Sequence, residues 1–488
     1  MPYRDAFDFK PPGIFVVYAF ARLFAGSAEW GIRVLEVAGL FAMVGAMVNL
    51  CDRLWQQRTA GWLAGALAAL VHAQLEFWHT AQPETFGGML SILGIWLSCT
   101  APTSEPSRGR SSPLRLLGTG MAFGMAGLLK PPLAGGGAVV GLWLAATSYL
   151  SGRDLRRAVR PPLWIFVGGA LPFVLCLTWF AARGALTELH ETLFVFTPYY
   201  TKLGWRGRTA QGLLYQAFAE WLVAYASVMA VGLALGLANW RRAWRRPGVP
   251  MILGVIGIQL VGVALQGKFF PYHYAAVWPL TALLAGLGWN ELWTEAQSRG
   301  RLALGGLALL MVASASLRTA TKDVSDSFWT RAVRRVVLLA RGWSDDEAID
   351  GLATVADVNA GSNRKVARFL REHVTSTGSA YVWGFEPVIY DLASVRAASR
   401  FIYNVPQRVA WASTASRGEL MCELAATRPD VIVVASGDVF PVVTDNAWGS
   451  EHVLREDFGQ LRDLLAAGYR KHSRIDDFDL YLRADADP

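Results

Sequence analysis

The sequence predicts a polytopic α-helical membrane protein of about ten spans that ends in an extracytoplasmic α/β domain. Three observations carry this. Apolar runs long enough to cross a bilayer fill most of residues 31–318. Only 17% of the 488 residues are charged against 53% apolar, and mean hydropathy is +0.30; soluble domains are nearer about a quarter charged. Beyond residue 318 the chain turns polar, and helical and strand patterns alternate. The net charge of +8 does not call for nucleic acid, because the arginines sit in short loops between apolar runs, as orientation signals do. Four cysteines make no disulfide scaffold: Cys51, Cys99 and Cys176 lie in or beside apolar runs, and only Cys422 lies in the tail. Met1 is followed at once by charged and proline-rich sequence, unlike a cleavable signal peptide.

Residues 1–30 read as an outer loop carrying a short juxtamembrane helix at 12–26. Arg4, Asp5, Asp8 and Lys10 crowd two cations and two carboxylates ahead of it. Pro11 and Pro12 fix φ and lack an N–H, so they suit the first turn of the helix. Lys10 is thus held where an apolar helix leaves water. A fixed ammonium there can bind a phosphate as a point charge; the plainer reading is an interfacial lysine that snorkels and pairs with Asp8.

The membrane domain, 31–318, holds spans near 31–51, 59–76, 84–100, 114–129, 132–150, 162–181, 213–238, 250–266, 274–290 and 302–318. Its connections alternate in charge. One set, from Arg53 and Arg58 to Arg299 and Arg301, holds fifteen cations. The other, with Lys130, Arg183, Lys202, Arg206, Arg208 and Lys268, holds six. The positive-inside rule puts the first set in the cytoplasm and the second outside, together with Lys10 and the tail.

In the tail, 319–488, helices are expected at 360–373, 386–392, 416–427 and 457–467, and strands at 380–385, 400–403, 430–435 and 478–482. Neither a Gly-x-Gly-x-x-Gly nor a Gly-x-x-x-x-Gly-Lys run occurs there, so nothing marks a nucleotide site. A lid or acceptor-docking module fits the tail better.

The outer face collects unusual residues. His72, Glu76 and His79 share one helical face. They are the weak candidates for a divalent metal, the one cofactor the sequence leaves open, although imidazoles satisfied at an interface are commoner. Glu84 stands in Gln82-Pro-Glu-Thr-Phe86, and Lys130-Pro-Pro132 repeats the lysine–proline device. The loop 183–210 contains Phe194-Val-Phe-Thr-Pro-Tyr-Tyr-Thr-Lys-Leu-Gly-Trp205, which mixes aromatic and cationic residues. Gly267-Lys-Phe-Phe-Pro-Tyr-His-Tyr274 follows the eighth span; its Tyr272, His273 and Tyr274 serve either as aromatic-belt anchors or as substrate contacts. Arg33 and Glu36 are an i, i+3 pair with a structural role. Ionisable groups at membrane depth by default face a cavity or a polar ligand.

The segment Pro2-Tyr-Arg-Asp-Ala-Phe-Asp-Phe-Lys-Pro-Pro-Gly-Ile-Phe-Val-Val-Tyr18 resembles the first outer loop of the ArnT-like, protein-mannosyltransferase-related polyprenyl-phosphate-sugar glycosyltransferases of the GT-C superfamily (family 39/83-like). Further resemblance lies in Gln82–Phe86, Gly127-Leu-Leu-Lys-Pro-Pro132, Phe194–Tyr200, Lys268-Phe-Phe-Pro-Tyr-His-Tyr274, Val382-Trp-Gly-Phe-Glu-Pro-Val-Ile-Tyr390 and Arg400-Phe-Ile-Tyr-Asn404. It implies a GT-C-like, multi-pass enzyme of the bacterial inner membrane. Such an enzyme takes a sugar from an undecaprenyl-phosphate-linked donor to an extracytoplasmic acceptor: lipid A, an envelope glycan or a protein. By that resemblance Lys10 holds the lipid phosphate, helped by Arg4, Lys202 or Arg206. Tyr272 and His273 line the donor pocket, and Glu84, Tyr199, Tyr200 and Lys268 complete a donor and acceptor pocket. Family members open with one more span and an acidic residue, usually Asp, that acts as the base. The resemblance therefore implies a base upstream of Met1, with Asp5 and Asp8 as the local substitutes. A non-catalytic accessory subunit and a polyprenyl-lipid transporter are the rival classes. The transporter should show repeated halves and mid-membrane polar residues, and the sequence shows no repeat.

Overall fold

The computed structural model describes residues 1–26, 30–75, 80–99, 112–223, 227–238, 240–316, 332–338, 340–341 and 360–484. Packing separates two compact units. One comprises Lys10–Trp179 and Gly207–Val333; the other comprises Met1–Phe9, Phe180–Arg206 and Arg334–Pro488. The second is therefore assembled from three stretches, not from the tail alone.

The first, membrane unit is helical. Its chain runs through α1 (Gly13–Ala25), α2 (Trp30–Trp55), α3 (Arg58–Gln74), α4 (Pro83–Ser98), α5 (Pro113–Leu129), α6 (Gly135–Gly152) and α7 (Leu155–Ala182). After α8 (Leu186–His190) and α9 (Thr197–Trp205), which belong to the other unit, come α10 (Ala210–Val223), α11 (Ser227–Ala238), α12 (Trp240–Arg245), α13 (Val249–Gln266), α14 (Trp278–Arg299) and α15 (Arg301–Ser316). Over the described residues the expected spans fall mainly on helix, although the one expected at 274–290 enters α14 only at Trp278. Among the described residues, α2, Pro131–Gly152, α7 and α13 are by themselves long and apolar enough to cross a membrane, and α10 with α11 makes a fifth if read as one bent span.

Proline and glycine set the helix ends that matter. Pro83 opens α4 behind Gln82, and Pro113 opens α5 behind Ser112, whose hydroxyl accepts from the Arg115 N–H at 3.3 Å. At the other end of α5, Pro131 forbids continuation, so Lys130 is extended. Gly267 takes a left-handed conformation at φ 63 and caps α13, leaving Lys268 as the next residue. Small residues let helices touch: a Cβ on Gly120 would stand 2.0 Å from the Ile165 carbonyl, and one on Gly168 2.1 Å from that of Leu117.

The tail unit is an α/β layer structure around a five-stranded sheet of order β2-β1-β3-β5-β4. Its strands are β1 (Ser379–Trp383), β2 (Arg396–Ala397), β3 (Val431–Ala435), β4 (Tyr469–Ile475) and β5 (Phe478–Arg483). β1 pairs parallel with β2 and β3, while β5 runs antiparallel to β3 and β4. Alternation sends Tyr381, Trp383, Ile432 and Val434 to one face, against Leu420, Leu424, Phe458 and Leu461. Ala380, Val382, Val431 and Val433 face Val366, Phe369 and Leu370 of α16 (Ala360–His373) on the other. The helices expected at 360–373 and 416–427 are present, as Ala360–His373 and Ser413–Thr427.

One expectation fails locally, and the strands β2 and β4 were not anticipated. Arg400–Tyr403 is not a strand, since the amino-terminal stretch claims its backbone: the Phe7 N–H donates to the Arg400 carbonyl at 2.7 Å, and Arg400 Nη1 donates to the Tyr3 carbonyl at 3.2 Å. β4 has no counterpart in the sequence reading, because an edge strand of Arg470, Lys471, His472 and Arg474 carries the charges that blunt edges and hides its alternation.

Candidate functional site

In the membrane unit four chain segments converge. The start of α1 lies against the end of α5, so closely that a Cβ on Gly13 would be 2.6 Å from the Leu128 carbonyl carbon. That contact brings the Lys10-Pro-Pro turn to the region of Lys130. The start of α4 lies against the turn after Tyr274, where a Cβ on Gly88 would be 2.9 Å from the Ala275 carbonyl oxygen. Pro132 lies against α13, 2.4 Å from where Gly262 would place a Cβ.

The polar groups in this region answer one another. Glu84, in the first turn of α4, is buried and meets Lys130 Nζ at 2.8 Å. A carboxylate at a helix N-terminus and a cation at a helix C-terminus are both favoured by the backbone dipoles. Lys268 is buried as well. Burial, and then the neighbouring Lys130 charge, push its ammonium down to about 7. The Lys268 carbonyl accepts from His273 Nδ1, which assigns the ring proton to that nitrogen. The His273 ring meets Tyr272 edge-on at 4.6 Å and Phe270 at 5.4 Å. Arg208 adds a cation: it donates to the Gly267 carbonyl at 3.4 Å and lies 5.9 Å from the centre of the Phe269 ring. Lys130 and Arg208 were absent from the residues the sequence singled out as phosphate ligands. The repeated Lys-Pro-Pro device was the signal for the first, and nothing local marked the second.

His72 belongs elsewhere in this unit. Its Nε2 is 3.5 Å from Glu36 Oε1, and the buried Glu36 also accepts from Arg33 at 3.0 Å and from the Ala81 N–H. Arg33 and Glu36 thus have the structural pairing the sequence suggested. The other two residues of the weak metal set, Glu76 and His79, lie outside the described residues. Among the described residues no group of three or more His, Cys, Asp or Glu side chains is placed to hold a metal ion.

The tail unit gathers the remaining candidates. Arg4 forks onto the Asp5 carboxylate at 2.8 and 3.1 Å and donates to the Arg183 carbonyl at 3.1 Å. The Arg4 hydrogen bonds hold Asp5 well below the usual carboxylate range, so it is a weak base. Asp8 is placed differently, accepting from the Tyr403 hydroxyl at 3.3 Å. Burial, and then the Asp8 charge, raise both Tyr200 and Tyr403. Phe9 packs on Tyr200 at 4.5 Å. Tyr403 was legible only as part of Arg400–Asn404, with no role attached. Lys202 Nζ lies 4.9 Å from the centre of the Tyr199 ring, which stacks with Trp411 at 6.2 Å. Arg206 forms an ion pair with Asp445. Two of the four cations read as phosphate ligands, Arg4 and Arg206, thus have carboxylate partners inside the tail unit.

The sequence matches no family model and no curated protein. Solved structures do resemble it. ArnT from Cupriavidus metallidurans in the apo state aligns over 97% of this chain and 87% of its own, with a TM-score of 0.57 and 15% identity. The same protein bound to undecaprenyl phosphate aligns over 98% and 88%, with a TM-score of 0.52 and 16% identity. An Archaeoglobus fulgidus oligosaccharyltransferase aligns over 99% of this chain and 67% of its own, with a TM-score of 0.49 and 12% identity. The chain has the fold of ArnT: a helical membrane unit and a small carboxy-terminal sheet domain.

Proposed function

We propose, from a fold shared with ArnT, that this chain is a bacterial inner-membrane glycosyltransferase. It moves a sugar from a polyprenyl-phosphate donor to an acceptor on the outer side, with inversion. The observation that carries this reading is the lysine cluster of the membrane unit, Lys130 paired with Glu84 and Lys268 within reach of the Lys130 charge, in the region reached by the Lys10 turn. Such a cluster suits a dianionic lipid phosphate. The crystal structure of ArnT with undecaprenyl phosphate supports the donor class.

The chemistry asks for two things of this chain. Cations must stabilise the charge that grows on the departing phosphate, and they do so best preorganised and away from water. A carboxylate must take the proton of the acceptor hydroxyl as it attacks the anomeric carbon. Lys10, Lys130 and Lys268 are assigned the first role. Of the two carboxylates the sequence offered for the second role, both in the tail unit, Asp8 is preferred over Asp5, because Arg4 keeps Asp5 ionised and weakly basic. Tyr403 orients the Asp8 carboxylate. The sugar–phosphate bond of the donor carries the energy, so no nucleotide enters.

Reconstituted protein incubated with radiolabelled polyprenyl-phosphate sugar and a lipid A, glycan or peptide acceptor tests this. Transfer that is lost in Lys10→Ala and falls about 100-fold or more in Asp8→Asn is expected. Full turnover in Lys10→Ala, or no transfer by the unaltered protein to any acceptor, overturns it in favour of a non-catalytic role.

A further inference from the structure

Within the tail unit the chain parts at one edge of the sheet. β1 leads through the helix Val388–Ala393 to β2 on one side, whereas β3 leads to β4 and β5 on the other. The loops that follow the parallel strands β1 and β3 therefore diverge from a common edge. Open α/β sheets bind ligands at such a switch point, outside the carboxyl ends of their strands. The two loops start in contact, since a Cβ on Gly384 would stand 2.6 Å from that of Ala435. Glu386 follows the first strand and Asp438 the second.

Polar groups gather on these loops. The Arg408 side chain is fully buried and meets Asp438 Oδ2 at 3.1 Å. Ser450 donates to the same carboxylate, from its N–H at 2.6 Å and its hydroxyl at 2.5 Å. Asn404 Nδ2 donates to the Ser450 hydroxyl at 2.6 Å, and Asn363 Nδ2 donates to Glu386 Oε2 at 2.7 Å. Burial raises the Glu386 carboxyl against that hydrogen bond, and the Asp438 charge adds to the rise, so the two acids feel one another. Hydrogen-bonding capacity is left over here. Asn363 and Asn404 are buried, yet Oδ1 of each lacks a hydrogen-bond partner among the described residues, as does Arg408 Nε. Buried polar groups without partners are costly, which makes each a place where a ligand's hydrogen bond counts. Rings stand beside them: Phe385 contacts Phe440 at 4.7 Å and has the Arg408 guanidinium 5.4 Å from its centre, and Phe440 is 39% exposed.

This set selects its ligand. Two carboxylates beside one guanidinium disfavour a phosphate. The amide oxygens call for donors and the guanidinium Nε–H for an acceptor, and a hydroxyl is both. The negative face of an exposed aromatic ring suits the C–H groups of a sugar. We infer that the carboxyl edge of β1 and β3 is a saccharide-binding site, in which Glu386 and Asn363 hydrogen-bond sugar hydroxyls and Phe440 carries the sugar ring. The site is built by the tail unit alone and stands apart from the transferase reading.

The full chain in nanodiscs, fluorescently labelled, is applied with EDTA present to an array of bacterial envelope oligosaccharides, neutral and phosphorylated. Capture by at least one neutral oligosaccharide is expected. Glu386→Gln should weaken it about tenfold and Phe440→Ala about fivefold, both with unaltered melting temperatures. Should Glu386→Gln melt early, Phe440→Ala, on an exposed side chain, decides. Capture that a normally folded variant leaves unchanged overturns the inference, because the sugar is then held elsewhere in the chain. Capture by phosphorylated glycans only, capture that appears only when calcium replaces EDTA, or no capture at all overturns it as well. Sugar transfer measured on the same preparation tests the proposed activity separately.

Discussion

The two units of this chain are held together by opposite means. In the tail unit large side chains are inside and charges outside: Tyr381, Trp383 and Ile432 are fully buried, while Arg455, Arg462 and Lys471 are exposed. In the membrane unit large side chains face outward, as with Phe41, Phe166 and Leu302, and glycines meet inside, at Gly120, Gly168 and Gly288. Water drives the first arrangement, because removing apolar surface from it is favourable. Lipid tails offer no such drive, so close backbone approach and buried polar pairing have to specify how the helices meet.

The sharpest way to break this contrast is at the buried ion pair. Lys130→Ala leaves Glu84 charged, buried and without its ion-pair partner, and should destabilise the membrane unit by about 3–5 kcal/mol. Thermal unfolding in nanodiscs measures it, and the double change Glu84→Gln with Lys130→Met should recover most of the loss. A shift as large in the double variant would show that packing, not charge, was being measured.

Next comes the core of the tail. Ile432→Ala empties a fully buried position between the sheet and its helices, for a loss of about 3 kcal/mol. Urea unfolding of the full chain, followed by a probe in the tail, should show it. A similar cavity in α2, where Leu50 is also fully buried, should unsettle the membrane unit and leave the tail probe unmoved.

Smaller is the effect of a methyl at a helix crossing. Gly168→Ala puts a Cβ against the Leu117 carbonyl and should cost about 1–3 kcal/mol, read as a fall in the melting temperature of the membrane unit. An exposed glycine with open space around it, Gly305, should tolerate the same change.

Smallest is a titration. Lys268 is charged below about 7 and neutral above it when the site is empty. A bound phosphate favours the charged form, so binding takes up a proton and affinity falls as pH rises through 7. Loss of one charged contact should weaken binding of a polyprenyl phosphate by about tenfold, or about 1.4 kcal/mol, between mildly acidic and mildly alkaline pH. Lys268→Arg, which stays charged, should abolish that dependence in a fluorescence binding assay.

Composition and periodicity alone determined the helices of the membrane unit, the alternating α/β pattern of the tail and the outer lysines as features to explain, because each depends on neighbours within a few residues. Lys10, Lys268 and His273 were visible as unusual groups beside proline. Their company was not. Only the tertiary structure decided that Lys130 answers Glu84, that Arg4 restrains Asp5 while Tyr403 serves Asp8, and that the first nine residues belong to the tail unit. Those pairings join residues as far as 395 positions apart. No local pattern specifies such a contact, since it exists only when packing brings the segments together.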